Sequence, residues 1–299
     1  MNTLIANQYG RVQGEVVGGT GLTLAVAAQT PRRESVQLQT RIDSVEQLLH
    51  LLAIMRAVER RIEQFQLRDA KSQQPTEPES VFDETSCAEG DLFSSNGNSK
   101  NKIYGRFDQF LVYEQVDQGR LRVFFAVRDE AKRVARFDLH PGEVLAFHAL
   151  AKRALFAIDE VDLMLRDELS LNVNLNVCGG GLRFELDTPL WRSKFAVTQA
   201  NDLATLAVFT RRAVNQEKAV PVRFGIDANQ FSLRKRNDGQ VVAEFQHQGA
   251  LEKITLTTLQ VLELEILVQY ALGRAFEPAS AALRSLLPPP ESVTAAQIA

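Results

Sequence analysis

Tyr104-Gly105-Arg106-Phe107 repeats, in degenerate form, Tyr9-Gly10-Arg11-Val12, and the residues after each copy run through the same series of parts. In the first copy these are Leu22 to Ala28, the turn Pro31-Arg32-Arg33-Glu34, Val36 to Ile42 and a helix from Ser44. In the second they are Leu121 to Val127, the turn Asp129-Glu130-Ala131-Lys132-Arg133, Val134 to Leu139 and a helix from Pro141. A looser third copy starts at Gly239: Gln240 to Phe245, a turn around Gly249, Ile254 to Leu256 and a helix from Thr257. Repetition on this scale marks a supersecondary unit that buries its apolar face against its siblings rather than alone.

The helices follow from periodicity. From Ser44, Val45, Leu48, Leu49, Leu51, Leu52, Met55, Val58 and Ile62 recur at three- and four-residue steps while Arg56, Glu59, Arg60, Arg61 and Glu63 occupy the other face. Ser44 followed by Gln47 suits a capping box, and Pro141 suits the first turn of the second helix. The third helix carries Leu259, Leu262, Leu264, Ile266, Leu267, Tyr270 and Leu272 and is expected to end near Gly273. Its apolar surface is the broadest of the three, which suggests burial on two sides or an oligomer interface.

Strands follow from alternation. Leu121, Val123, Phe125 and Val127 share one face of a strand whose other face carries Arg122, Phe124 and Ala126. Leu169 to Val177 alternates strictly, with polar residues at every even position, which predicts a strand covered on one side only. Further strands are expected at Leu182 to Leu186, Phe195 to Thr198, Thr205 to Phe209, Val220 to Ile226 and Phe231 to Lys235. Antiparallel meanders each followed by a helix, with sheets packed on helices, make an α+β fold.

Residues 69–102 read as a linker. Between Asp69 and Ser99 seven acidic residues face one base, Lys71, while Ser, Asn, Gln and Pro dominate and isolated apolar residues cannot form a core. The expected organisation is an N-terminal meander and helix over 1–68, a disordered acidic linker over 69–102, a two-unit α+β domain over 103–277 and an extended tail over 278–299. The formal net charge is −3, and it is the linker that makes it negative; the remainder is mildly basic, which permits anionic partners. A segment so acidic, tethered beside basic sheets, is either a spacer or a competitor for their anion-binding face.

With 45% hydrophobic and 24% charged residues the chain is expected to bury a substantial core. No apolar run approaches the roughly 20 residues of a membrane span, and Met1 to Gly10 lacks a secretory pattern, so a cytoplasmic protein with no membrane partner is expected. Cys87 and Cys178 are widely separated, and the four histidines lack metal-ligand spacing. Gly18-Gly19-Thr20-Gly21 lacks the lysine and helix of a phosphate-binding loop, and Cys178-Gly179-Gly180-Gly181 reads as a bulge or wide turn. No catalytic constellation, metal site or cofactor motif emerges, and the chain is expected not to be an enzyme.

The chemistry that remains is the mixture of bases and rings on strands. Arg120, Arg122, Arg128, Lys132, Arg133 and Arg136 accompany Phe107, Phe110, Tyr113, Phe124 and Phe137; Arg211, Arg212, Arg223, Arg234, Lys235 and Arg236 accompany Trp191, Phe195, Phe209, Phe224 and Phe231. Such a mixture holds single-stranded nucleic acid, cations tracking phosphates and rings stacking on bases. The binding residues expected are those twelve cations together with Phe124. Over residues 102–277, the segments Arg120 to Leu139 and Gln240 to Leu256, each leading into a helix, resemble the Whirly and PC4-like single-stranded DNA-binding fold. That resemblance implies paired meander–helix units, helices within and basic sheets outside, and a single-stranded DNA or RNA partner. The alternative is a structural or adaptor subunit that self-associates through its apolar helices.

Overall fold

The structure, a computed structural model, describes residues 1–72 and 102–286 except position 9 and the short segments 18–20, 31–32, 108, 118–119, 159–160, 167–171, 179–180, 188–191, 215–221, 225–228, 237–239 and 248. Four times over, a four-stranded antiparallel meander is followed by a helix. The first repeat is β1 (Asn2–Asn7), β2 (Gly10–Val17), β3 (Gly21–Gln29), β4 (Ser35–Ile42) and α1 (Val45–Ser72). The second is β5 (Lys102–Phe107), β6 (Phe110–Asp117), β7 (Arg120–Arg128), β8 (Val134–Asp138) and α2 (Pro141–Phe156). The third is β9 (Val161–Arg166), β10 (Asn172–Cys178), β11 (Gly181–Asp187), β12 (Arg192–Val197) and α3 (Ala200–Val214). The fourth is β13 (Val222–Phe224), β14 (Asn229–Lys235), β15 (Val241–His247), β16 (Ala250–Leu256) and α4 (Thr258–Leu286). In every sheet the strands lie in chain order. The α+β meander architecture expected from the sequence is the one observed.

Residue-by-residue pairing fixes the correspondence between the first two repeats. Asn2↔Gly14, Thr3↔Gln13, Ile5↔Val12 and Ala6↔Arg11 reappear as Lys102↔Glu114, Ile103↔Tyr113, Gly105↔Val112 and Arg106↔Leu111, and both ladders carry a bulge at the same place, after Thr3 and after Ile103. Gly105 therefore corresponds to Ile5, whereas Gly10 opens the following strand. The Tyr-Gly-Arg similarity that reveals the repeat is out of structural register by five residues. The alternation downstream, Leu22 to Ala28 against Leu121 to Val127, is in register.

The repeat missing from the sequence reading is the third. Its strands β10, β11 and β12 were expected singly, but Thr205 to Phe209, expected as a strand, lies inside α3. Leu203, Leu206, Phe209, Thr210 and Ala213 are buried at helical spacing. The threonines are reconciled with the helix by back-bonding: Thr205 Oγ1 donates to the Asn201 carbonyl at 2.8 Å and Thr210 Oγ1 to Leu206 at 3.0 Å. The one-sided strand expected from strict alternation is β10, where Val173, Leu175 and Val177 are buried.

The chain divides into two compact units, Met1–Leu163 with Thr257–Ile266, and Met164–Leu256 with Leu267–Ala299. The first repeat falls in one compact unit with the second, where the sequence reading sets 1–68 apart and groups 103–277. The physical reason is exchange of helices. In the first unit α1 and α2 pack on one another, α2 lies against β1, β2 and β3, and α1 lies against β5 and β7. Neither sheet buries its apolar face without the helix of its sibling. Two glycines permit the close approach. A Cβ at Gly14 would stand 2.4 Å from Leu150 Cδ2, and one at Gly105 would stand 2.3 Å from Ile54 Cδ1. Phe125 completes this core, its ring 5.3 Å from Phe110 and 5.1 Å from Phe147 of α2. In the second unit α3 lies against β13 and β14, and Phe184 of β11 meets Phe231 of β14 at 4.8 Å.

A polar brace crosses the first unit's core. Arg61 of α1 donates to both carboxylate oxygens of Glu114 on β6, at 2.9 and 3.1 Å, and the Tyr104 hydroxyl donates to the same carboxylate. Glu114 is buried. Its counterpart in the first sheet is Gly14, so the brace belongs to one half of the pseudo-symmetric pair alone.

Helix ends follow local chemistry. At α4 the Thr257 N–H donates to Gln260 Oε1 at 2.9 Å and the Gln260 N–H to Thr257 Oγ1 at 3.2 Å, a reciprocal cap; at α2 the His140 N–H donates to the Glu143 carboxylate at 2.9 Å. Rather than stopping near Gly273, α4 continues to Leu286, so the first part of the expected tail is helical. A single glycine costs a helix only about 1 kcal/mol relative to alanine, and Arg274 spans it, donating through Nε to the Tyr270 hydroxyl at 3.0 Å. Of the expected linker, Asp69 to Ser72 continue α1 and Lys102 opens β5; 73–101 and 287–299 lie outside the described residues. Among the described residues no helix is long and apolar enough to cross a membrane.

The third-to-fourth-strand hairpins of both first-unit repeats close in the same way. The Thr30 carbonyl accepts from Arg33 N–H and the Thr30 N–H donates to Glu34; Asp129, Lys132 and Arg133 repeat the pattern. The turn requires a left-handed residue, and supplies Arg33 at φ 63° and Lys132 at φ 61°. A Cβ there costs about 1 kcal/mol. Lys132→Gly is expected to raise the unfolding free energy of this unit by about 1 kcal/mol, read as a higher urea midpoint at unchanged slope; a lower midpoint would mean the lysine side chain stabilises the turn.

Candidate nucleic-acid interface

Alternation along β7 sends Val123, Phe125 and Val127 to the core and leaves Arg120, Arg122, Phe124, Ala126 and Arg128 on the opposite face. Register then builds that outward face in rows. Arg106, Leu111, Ala126 and Arg136 form one; Ile103, Tyr113, Phe124 and Asp138 form the next; Gln115 pairs with Arg122, and Asp117 with Arg120. Arg106, passed over in the sequence, comes into line with Arg136 only through this pairing. The signal was present, since Arg106 alternates with Gly105 in a strand ending on Phe107, but its partner strand had to be known.

The centre of the face is closed. Leu111, Tyr113, Phe124, Ala126 and Val134 form a buried cluster. Tyr113 and Phe124 lie parallel with centroids 5.2 Å apart and exposures of only 1% and 3%. The guanidinium carbons of Arg122 and Arg136 lie 4.9 and 5.5 Å from the Phe124 centroid. Phe124 therefore offers no ring face to a base. The remaining rings of the expected set whose side chains are described, Phe110, Phe137, Phe209 and Phe231, are all buried.

The cations divide by environment. Arg106, Arg120, Arg122, Lys132 and Arg136 are exposed, at the rim of the closed cluster and at the strained hairpin tip. Arg122 donates through Nη2 to Asp138 at 2.8 and 3.0 Å. Arg133 is turned inward: its N–H and Nε both donate to Asp129 at 2.8 Å, and its Nη2 lies 2.7 Å from the same carboxylate, so it braces the turn. Arg128 is half-buried at the end of β7, its backbone N–H bound to the Gln109 carbonyl. Arg211 and Arg212 sit in the last turn of α3 rather than on a sheet. Arg234 is exposed on β14, paired in register with Val242, and Arg236 closes the β14–β15 turn through its N–H to Gln240. Arg223 and Lys235 fall in β13 and β14, with side chains outside the described residues. The structure thus gathers one basic rim from the second repeat and scatters the later six positions.

The outward faces of the other sheets are polar. Arg11, Gln13, Gln37, Gln39 and Arg41 alternate with core residues in the first sheet. In the third sheet Arg192 pairs with Asp187 at 2.9 Å and Lys194 with Glu185 at 2.8 Å; in the fourth Lys253 pairs with Glu244 at 3.0 Å. These cross-strand pairs set an acid beside Arg192, Lys194 and Lys253.

The strongly perturbed titrations lie on the core side. Burial pushes the Tyr104 hydroxyl far up, reinforced by its bond to Glu114, so it stays protonated and serves as a donor. Burial alone would raise the Glu114 carboxyl, but the bonds from Arg61 and Tyr104 outweigh it and hold it below 4.5. The hydrogen bond to Glu114 raises Arg61 further. This is a structural arrangement, not a nucleophile with its base. The apolar positions of α4 that made it a candidate for self-association, including Leu262, Leu264, Leu267 and Tyr270, are buried within the chain. No known family model, curated protein or solved structure matches this chain.

Proposed function

We propose that this protein binds single-stranded nucleic acid without enzymatic activity, through the rim of the β5–β8 sheet. The observation that carries the reading is the placement of Arg106, Arg120, Arg122 and Arg136 on the one outward face of that sheet, with Lys132 at its hairpin tip. Phosphates of a flexible strand can follow such a rim, whereas a rigid duplex reaches fewer of its cations at once. Backbone strain accepted at Arg33 and Lys132 fits a use for cations at hairpin tips, since glycine would serve the turn better. A Whirly or PC4-like mode, with paired meander–helix units presenting sheets to the strand, is the form of binding this reading favours. The burial of Phe124 and Tyr113 changes the expected balance: affinity comes from phosphates, with little from stacking on the sheet. Fluorescence anisotropy with a labelled oligothymidylate and the corresponding duplex tests it. Salt-sensitive binding of the single strand, tighter than that of the duplex, supports the reading; absence of binding at low salt, or indifference to salt, overturns it.

A further inference from the structure

A cavity of about 230 Å³ opens in the first unit where the second half of α1 crosses the end of the β7–β8 ladder beside the start of α2. It arises because β7 continues past its partner: the last pair is Phe124↔Asp138, and the chain then turns through Leu139 into α2. Ile62, Phe65 and Leu139 give the cavity apolar walls, and Arg122, Asp138 and Gln66 supply its polar groups. The fold does not require this chemistry, because the first repeat carries Thr23 and Gln39 where the second carries Arg122 and Asp138.

We propose that this cavity takes one unstacked guanine base of a bound single strand, an inference that rests on the nucleic-acid reading above and gives it a sequence preference. Size admits a base: a cavity of about 150 Å³ holds a benzene ring, and this one is larger. The apolar walls include a partly exposed aromatic ring, Phe65, to lie against a base face. The polar set selects guanine. Its Watson–Crick edge presents two adjacent N–H donors, which match a carboxylate, and its O6 and N7 accept from an arginine. The Arg122–Asp138 pair engages only Nη2 and one bond to each carboxylate oxygen. Of a guanidinium's five donors and a carboxylate's four lone-pair positions, several therefore remain in principle for a ligand. Adenine offers the carboxylate one donor beside an acceptor and is the poorer match. Arg122 also belongs to the basic rim, so the cavity opens where a strand on that rim passes.

The experiment compares labelled short oligothymidylates that are uniform, or that carry a single central guanine or adenine, by anisotropy at low and moderate salt. The guanine is expected to tighten binding about tenfold, the order expected of one bidentate base contact, and the adenine to leave it near that of the uniform strand. In Asp138→Asn and in Phe65→Ala the guanine-to-thymine ratio is expected to fall towards one. Equal, salt-sensitive binding of all three strands overturns the cavity proposal and leaves the rim reading standing. No binding of any strand removes both. A guanine preference that survives Asp138→Asn overturns the proposal. So does displacement of the guanine strand by guanosine monophosphate at equal molar affinity, which would make the cavity a mononucleotide site. The wild-type comparison decides even where a variant fails to fold.

Discussion

Glu114→Ala is expected to destabilise the first unit by about 3–5 kcal/mol, the range for removing one member of a buried ion pair. The carboxylate is the common acceptor for Arg61 and Tyr104, and it is buried where α1 meets the second sheet. Its loss leaves the buried Tyr104 hydroxyl and the half-buried Arg61 guanidinium without their shared acceptor, and the penalty is mostly their incomplete solvation. In a unit of this size the thermal midpoint should fall by about 10 °C, followed by circular dichroism. The triple replacement Arg61→Met, Tyr104→Phe and Glu114→Leu should recover most of the loss, because apolar substitutes of similar volume then leave no member of the brace unpaired. A single-variant loss below about 1 kcal/mol would show the pair to be effectively solvated. The pH dependence has a definite sign. The folded carboxyl of Glu114 lies below its ordinary value of 4.5, so its contribution is present above that pH and is lost as pH falls through the lower folded value. Tyr104 lies above its ordinary 10.0, so its contribution is complete below pH 10 and is lost as pH rises beyond it. The brace should therefore stabilise across the interval between, and Glu114→Gln should flatten the acid limb.

Raising salt fourfold should weaken single-strand binding roughly fiftyfold if four cations of the rim neutralise phosphates, since each contributes about −0.7 to the logarithmic slope on single strands. Arg106, Arg120, Lys132 and Arg136, exposed on the rim and at the hairpin tip, are the four expected to act. The double substitution Arg106→Gln with Arg136→Gln should reduce the slope by about 1.4 and weaken low-salt binding by one to two orders of magnitude. Both residues are exposed at the two ends of one row across the sheet, so neither change opens a cavity. Arg211→Gln with Arg212→Gln removes the same charge from the last turn of α3 and should alter the slope little. Equal effects from the two pairs would make the dependence a matter of net charge and remove the rim as a site.

Much of this architecture was legible in one strand. The alternation of Leu121, Val123, Phe125 and Val127 against Arg122, Phe124 and Ala126 correctly assigns two faces, because side chains alternate sides of any strand whatever it packs against. The strict alternation of Asn and apolar residues in β10 reads equally cleanly. Helix α1 follows from its spacing, and α4 starts where the sequence places it, directly after Thr257. What misled was local similarity without pairing. Tyr9-Gly10 and Tyr104-Gly105 look equivalent, yet a strand's place in a sheet is set by its partner's register, which no short motif contains. Thr205 to Phe209 carries the strand-favouring residues Thr205, Val208 and Phe209, and the packing of α3 against β13 and β14 goes with its being helix.

The sequence by itself determined the repeating meander and helix, the apolar and basic faces of the strands, and the acidic composition between the first two repeats, because periodicity and charge are local properties. Tertiary structure alone decided that the first repeat pairs with the second by exchanging helices, because burying a sheet's apolar face depends on which helix reaches it, and the segment joining two repeats carries no sign of whether it joins domains or halves of one. It also decided which basic residues share a surface. Arg106 and Arg136 stand at opposite ends of one row across four strands, Arg133 is held by Asp129, and Phe124, outward by alternation, is nevertheless shut away from any base, since facing away from one core does not ensure exposure to solvent.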